Sequence, residues 1–330
     1  MRRAFVTGAG GFLGGHVVRA LDASGVSVRA LARSPVSVER LRASGVDVVA
    51  GDLCDTKSLA AALRPAPDVI FHLAADTTLW RRRTAAQQRT NVEGTRTLLQ
   101  LARRAGVKRF VYTSSVAVYG QVERQAIFEA LPRGALREPV AYARSKAQAE
   151  KLVLEAAGHG GIEAVVLQPA HVLGPGDRHN WARVVLLIDQ GRLPGVPPGI
   201  GCFADVRAVA RAHLAAAAYG ASGECYLLGG VHASFLELAT LIARELRRPP
   251  PKRTLPRGLL MAHACLGEAL ALISGREPPI SRDGVAIACQ RLQVDDRKAI
   301  AALGYHHTPL PALVRDTVAW LRSQGLLHPT

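Results

Sequence analysis

Three features of the sequence predict an α/β fold: a doubly wound parallel sheet with a smaller, mostly helical region at its carboxyl edge. The first is a glycine turn between an apolar strand and an amphipathic helix, Val6-Thr7-Gly8-Ala9-Gly10-Gly11-Phe12-Leu13-Gly14. The second is the alternation of short apolar runs with helical segments through the first half of the chain, the pattern of right-handed βαβ units. The third is a change of character after Pro169, where proline- and glycine-rich joints separate helices.

The elements follow in order. Ala4–Val6 reads as a buried strand, and Phe12, Leu13, Val17, Val18 and Leu21 have helical spacing. Strands are expected at Val26–Ala32, Val46–Ala50, Val69–Leu73, Val107–Ser114, Ile162–Leu167 and Glu224–Leu228. Helices are expected at Ser58–Leu63, Thr90–Ala105, Tyr142–Ala157, Trp181–Gln190, Val206–Tyr219, Phe235–Leu246, Leu259–Ile273 and Pro311–Leu321. The expected division is a dinucleotide-binding domain over 1–170, rejoined by 203–232, and a substrate-binding region over 171–202 and 233–330. Ligands of such folds sit at the carboxyl edge of the sheet.

Composition narrows the function classes. The 330 residues, 48% of them hydrophobic, make a globular protein with ample core. The net charge of +16 suits an anionic ligand, a membrane surface or nucleic acid. The basic residues are spread along the chain, however, and the densest cluster, Arg81-Arg82-Arg83, is too short for a nucleic-acid arm, so no nucleic-acid partner is expected. Five cysteines without a CxxC pair fit a reducing compartment and give no metal site. Met1-Arg2-Arg3 enters the first strand directly, so no signal peptide is expected and the location is read as cytoplasmic. Leu259–Ile273 is very apolar but too short and interrupted to span a bilayer; it packs in the core, covers a hydrophobic substrate or makes a peripheral membrane contact.

The glycine turn is chemically specific. Gly8, Gly10, Gly11 and Gly14 let backbone approach a pyrophosphate, and the helix N-terminus beyond them offers free N–H donors. Leu13 stands where the common Gly-x-Gly-x-x-Gly fingerprint has its last glycine, so the pattern is Thr-Gly-x-x-Gly-x-x-Gly. At the end of the second strand stands Arg33-Ser34, with no carboxylate until Glu39. An acidic residue there holds the ribose 2′-hydroxyl of NAD, whereas arginine suits the 2′-phosphate of NADP, and Arg40 is placed to assist. NADP(H) is the expected cofactor. Asp52 and Leu53 are placed to meet its adenine, and Ala74 and Ala75 are small enough for close passage.

Tyr142 and Lys146 stand one helical turn apart on one face. A phenol is a poor acid near neutrality, and a neighbouring ammonium is expected to lower its pKa. Ser115, at the end of the fifth strand, supplies the hydroxyl that completes a carbonyl site.

With these residues the chain resembles the short-chain dehydrogenases/reductases, in their extended, epimerase/dehydratase branch with a Rossmann-type fold. The resemblance covers nearly the whole chain. It rests on Thr7 to Gly14, Asp52-Leu53, His72-Leu73-Ala74-Ala75, Asn91-Val92-Glu93-Gly94-Thr95, Thr113-Ser114-Ser115, and Tyr142 with Lys146. It implies that Tyr142 is the general acid/base, Lys146 its electrostatic partner and a hold on the nicotinamide ribose, Ser115 the carbonyl-positioning donor and Asn91 a supporting residue. It also implies hydride transfer at the nicotinamide C4. The cofactor is expected against Thr7, Phe12, Leu13, Leu73, Asn91, Thr113, Pro169, Ala170 and Val172 as well. Within the branch, Val28 to Pro35, Leu173 to Asp177, Gly191 to Gly195 and Ala204 to His213 look like dihydroflavonol reductases. They also resemble 3β-hydroxysteroid dehydrogenase-like and hopanoid-associated sugar epimerase-like proteins. Nucleotide-sugar epimerases typically carry Asn after the sixth-strand proline and an Arg-Asp pair before the aromatic at Phe203; this chain has His171 and Gly201-Cys202. Trp80, His171, Trp181 and Phe203 are expected to line an apolar substrate pocket, with Asp76, Thr78, Ser115 and Val116 beside them. His171 is either a second acid/base or a satisfied pocket histidine. The resulting expectation is an NADP(H)-dependent reductase of a ketone or aldehyde. The alternatives are a sugar epimerase and an NADP-sensing protein without activity. A homodimer is expected through Thr90–Ala105 and Tyr142–Ala157, as often in the family.

Overall fold

The computed structural model describes residues 1–122, 125–158 and 161–328. Strands are β1 (Arg3–Thr7), β2 (Ser27–Ala32), β3 (Asp47–Ala50), β4 (Val69–His72), β5 (Arg109–Thr113), β6 (Glu163–Pro169), β7 (His171–Leu173), β8 (Ile200–Asp205), β9 (Cys225–Leu228) and β10 (Val231–Ser234). Helices are α1 (Phe12–Ala23), α2 (Pro35–Ala43), α3 (Thr56–Ala62), α4 (Thr84–Gln87), α5 (Gly94–Arg104), α6 (Ala141–Gly158) and α7 (Ala182–Asp189). They continue with α8 (Val206–Tyr219), α9 (Phe235–Leu246), α10 (Arg257–Ser274), α11 (Arg282–Ala288), α12 (Arg297–Leu303) and α13 (Leu310–Ser323).

Among the described residues, one sheet has the parallel order β3-β2-β1-β4-β5-β6-β9. This is the doubly wound Rossmann-type order with one strand added beside β6. The two faces are covered differently. On one, Val17, Val18 and Leu21 of α1 meet Val209, Ala212 and Ala216 of α8. On the other, Leu59, Leu98, Leu99 and Val153 of α3, α5 and α6 pack over Phe5, Ile70 and Phe110. Strands buried on both faces read as unbroken apolar runs, which is why the sequence marks them clearly.

Three differences from the sequence reading have physical causes. Helix α2 was not expected; Ser34 caps it by accepting from Ser37 N at 3.2 Å, and Pro35 starts it with a fixed φ. The region beyond β6, read as mostly helical, also carries the small sheet β10-β8-β7. Its strands span only three to six residues, too brief for a period-two signal. Of the stretch 203–232, α8 and β9 rejoin the large sheet, whereas Phe203–Asp205 and Val231–His232 lie in the small one. The long helix expected from Thr90 instead begins as α5 at Gly94, after a wider π-helical turn over Gln88–Glu93. Such a turn inserts a residue and rotates the side chains that follow.

Candidate functional site

The site lies where the strand order reverses, between β1 and β4. Gly8 has φ +75°, and a Cβ placed on it falls 2.6 Å from Ala74 N, so only glycine fits. A Cβ on Gly14 falls 2.0 Å from Gly8 O, which sets α1 directly on the loop. Gly11 is the N-cap of α1 and supplies no side-chain acceptor, and the first turn holds no acidic residue. The first-turn N–H donors are therefore without a protein carboxylate, as a pyrophosphate requires. Gly8, Gly10 and Gly11 border a cleft of about 1630 Å³ together with Leu53, Leu73, Ala74 and Ala75. Thr7, Phe12 and Leu13 surround this loop from below: Thr7 is buried, Leu13 packs on the core and Phe12 meets the His16 ring edge-on at 5.9 Å.

Beyond the loop the cleft wall turns cationic. Arg33 and Ser34 border it, and the exposed Arg33 guanidinium reaches Asp52 at 3.5 Å. Asp52 also accepts from Cys54 N at 2.8 Å. Arg40 donates to the Gly10 carbonyl, which places it against the glycine loop. Ser37 also lines this corner and was missed by the sequence reading; the Ser34-Pro35-x-Ser37 start of α2 is the signal that finds it. Glycine approach, free N–H donors and a cationic adenosine end together fit a nicotinamide dinucleotide.

The reactive side chains converge at the carboxyl ends of β5 and β6. The Tyr142 phenol hydrogen-bonds the Ser115 hydroxyl, which also accepts from Ala117 N at 3.1 Å. Lys146, one turn along α6, donates to the Thr113 carbonyl at 2.6 Å and lies 4.4 Å above the Tyr112 ring. Burial pushes the Lys146 ammonium down to about 7, opposed by Glu150 another turn on. The expectation that Lys146 lowers the Tyr142 phenol does not hold in this geometry. Burial raises the phenol, and the Ser115 hydrogen bond works against that rise. Pro169 ends β6, Ala170 and Val116 pack in the same cluster as Tyr142, and Val172 packs on the main core.

Glu150 is the functional neighbour that sequence reasoning missed. Its carboxylate is fully buried and accepts from Ser114 Oγ at 2.5 Å, Gln168 Nε2 at 3.0 Å and Arg133 Nε at 2.6 Å. Only its place one turn after Lys146 hints at this, since its partners are scattered in sequence.

A second chain of hydrogen bonds shapes the β4 end of the cleft. His72 meets Thr7 Oγ1 at 2.7 Å and Thr95 Oγ1 at 2.8 Å, and Thr95 donates to Asn91 O at 2.7 Å. Because Thr95 spends its proton on that carbonyl, His72 Nε2 carries the hydrogen and Nδ1 accepts from Thr7. Burial holds His72 near a pKa of about 3, so it stays neutral. Asn91, expected against the cofactor, is instead buried: it accepts from Asp76 N at 2.7 Å and donates to Asp76 O and Ser145 Oγ, both at 2.9 Å. The π-helical turn aims it inward, and it thereby fixes the loop after β4.

The substrate side differs from expectation. Asp76 and Thr78 do border the cleft, Asp76 paired with Arg83 at 3.0 Å and Thr78 donating to Glu277 at 2.5 Å. His171, Trp181 and Phe203 pack with Phe235 at ring separations of 5.1–6.1 Å. Phe203 is fully buried and supports the group from within, whereas His171 and Trp181 are half-buried. His171, pushed down to about 4 by burial, is uncharged near neutrality. Trp80 instead stacks against the Arg82 guanidinium at 5.6 Å. The apolar wall of the cleft is built by Val184 and Leu187 of α7, Leu260 of α10, and Pro279, Ile280 and Val285. Those residues carry no motif, and only the tertiary fold brings them together.

Residues 4–229 match the family described as NAD dependent epimerase/dehydratase. A Synechocystis sp. protein named for dihydroflavonol 4-reductase is 33% identical, covering 97% of this chain and 95% of its own length. The 4-hydroxy-2-methyl-3-oxo-4-farnesyl-3,4-dihydroquinoline-1-oxide ketoreductase of Stigmatella aurantiaca is also 33% identical, over 92% of this chain and 91% of its own. The crystal structure of gox2253 superimposes with a TM-score of 0.85 at 30% identity, covering 99% of this chain and 100% of that one. MoeE5 in complex with UDP-glucose and NAD gives 0.78 at 26% identity, with 98% and 99% coverage. The chain belongs to the NAD-dependent epimerase/dehydratase family, the extended branch of the short-chain dehydrogenases/reductases.

Proposed function

We propose that this protein is an NADP(H)-dependent reductase, acting reversibly on a ketone or aldehyde of an apolar, medium-sized substrate. The observation that carries the reading is the Tyr142–Ser115 hydrogen bond, held one helical turn from Lys146 beside a cleft with an apolar far wall. Gly8, Gly10 and Gly11 would hold the pyrophosphate, Asp52 and Leu53 the adenosine, and Arg33 and Ser34 the 2′-phosphate. The dinucleotide, when bound, supplies or accepts the hydride. Tyr142 gives its phenolic proton to the carbonyl oxygen in reduction and takes it back in oxidation. Ser115 donates a hydrogen bond to the same oxygen and orients the phenol. Lys146, brought near neutrality by burial and donating to the Thr113 carbonyl, would hold the nicotinamide ribose. The apolar wall excludes water around the transfer. A ketoreductase of a farnesylated substrate among the relatives supports a carbonyl group on a large apolar frame. The rival reading, a sugar epimerase, draws on structural neighbours such as MoeE5, but Gly201-Cys202 offers no arginine for a diphosphate.

NADPH oxidation with a panel of hydrophobic ketones tests the proposal. The expected result is turnover that falls roughly 10²–10⁴-fold in Tyr142→Phe, with a preference for NADPH over NADH that Arg33→Ala narrows. Undiminished turnover in Tyr142→Phe rejects the acid/base role. Retained cofactor with no net oxidation on any carbonyl favours the epimerase.

A further inference from the structure

We propose that α10 docks this protein on an anionic lipid bilayer, lying along its surface with the mouth of the cleft beside it. Helix α10 has two apolar faces but only one partner. Leu260, Ala264 and Ala271 face inward, with the Leu260 cluster including Val285 of α11. Leu259, Leu266, Leu270 and Ile273 recur at helical spacing on the other side and are 58–87% exposed. With Leu272 and Ile280 they make six of the thirteen exposed large hydrophobic residues among the described residues, all within one short segment. Isolated exposed leucines are ordinary, but a contiguous apolar surface of this kind marks a contact.

Charge selects the occupant. Between residues 252 and 282 stand five basic residues and two acidic ones. Lys252, Arg253 and Arg257 are exposed where the helix begins, and Arg276 is exposed where it ends. Of the acidic residues, Glu268 is buried and bonded to Arg282 at 2.6 Å, leaving Glu277 as the exposed carboxylate. Asp283, just beyond, is also buried and tied to Arg81 at 2.7 Å. An apolar stripe with a cationic rim complements anionic headgroups around an acyl boundary. A second copy of this chain fits poorly, because a two-fold contact sets each cationic rim against its own counterpart.

The helix lies on the bilayer and does not cross it. The sequence reading of Leu259–Ile273 as too short to span is corrected by the structure, where the helix extends to 18 residues and reaches the length and composition of a span. Crossing, however, strands Glu268 in hydrocarbon or requires it to leave Arg282. The docked orientation has a further consequence, because Leu260 and Ile280 also line the cleft. A lipophilic molecule leaving the bilayer at this helix meets the apolar wall without crossing bulk water. The docking itself is independent of which reaction follows.

Co-sedimentation of the full chain with equimolar phosphatidylglycerol–phosphatidylcholine vesicles, against pure phosphatidylcholine vesicles, tests the proposal. The wild type is expected to pellet with the anionic vesicles and to be released by high salt. The Leu266→Glu/Leu270→Glu variant is expected to lose at least about tenfold in vesicle affinity, with unchanged thermal unfolding and sedimentation mass. Arg253→Glu and Arg257→Glu are each expected to weaken binding roughly fivefold. Wild type that stays in the supernatant with anionic vesicles overturns the proposal, as does a leucine variant that pellets equally well. A wild-type oligomer that dissociates on the leucine substitutions also overturns it and assigns the stripe to a second copy.

Discussion

Helices α6 and α10 are both 18 residues long and have opposite fates. Helix α6 is close to neutral in hydropathy, yet it buries Lys146 and Glu150. Helix α10 is the more apolar, yet it leaves five leucine and isoleucine side chains in solvent. Hydropathy alone orders them wrongly. Helix α6 can hold its charges because each meets a partner: Lys146 meets Thr113 O, and Glu150 meets Ser114, Gln168 and Arg133. The outer face of helix α10 meets no second layer among the described residues, so it answers to whatever the molecule touches. Burial follows the partners available, and the partners follow what each helix serves.

The largest expected effect that tests this contrast is Glu150→Ala. Removing one member of a buried ion pair leaves the Arg133 guanidinium short of its acceptor, and the expected loss is about 3–5 kcal/mol by urea unfolding. Adding Arg133→Met should recover part of it. A loss below about 1 kcal/mol, the range of exposed pairs, means the network is solvated and the contrast with α10 fails.

An effect with a comparable upper bound, spread over several pH units, is expected at Lys146. Its folded pKa of about 7 lies below the ordinary lysine value of 10.5, so between these limits the unfolded chain holds a proton that the folded chain lacks. Stability should therefore rise with pH from about 7 to 10.5, by at most about 1.4 kcal/mol per unit. Lys146→Met should flatten that rise in calorimetry over the same window. An unchanged slope assigns it to other groups.

The smallest effect is expected at Leu270→Gln, within about 0.5 kcal/mol of the wild type, because an exposed side chain contributes little to the fold. A loss above about 2 kcal/mol places Leu270 in a packed interface and removes the distinction drawn here.

The two helices also measure how far the sequence can be read. Gly8, Gly11 and Gly14, the buried strands, and the Tyr142–Lys146 spacing lie within single elements, where local period and backbone geometry carry the signal. Glu150 has no such signature, because Ser114, Arg133 and Gln168 reach it from three other segments. Among the aromatic residues His171, Trp181 and Phe203, the buried Phe203 is misread for a related reason. Their type suits a pocket, but whether a ring faces a cavity or another ring is settled by β8 and α9, whose placement no local pattern gives. Asn91 was read as a residue of the site and belongs to it, but through the loop it secures; the π-helical turn that redirects it leaves no mark in composition.

One carboxylate has a consequence for modularity. Glu150 is fastened to Ser114 just after β5, to β6 and to the loop bearing Arg133, and Arg133 in turn donates to Cys225 Sγ in β9 at 3.3 Å. Strand β9 is laid down only after the chain has left the large sheet, built most of the small one and come back. The helix that presents Tyr142 is thus moored partly by a stretch of chain some eighty residues further on. A fragment ending at the proline of β6 keeps every glycine of the dinucleotide loop but loses that mooring. Grafting the front half onto another substrate region must therefore carry β9 with it, or the reactive helix arrives unanchored.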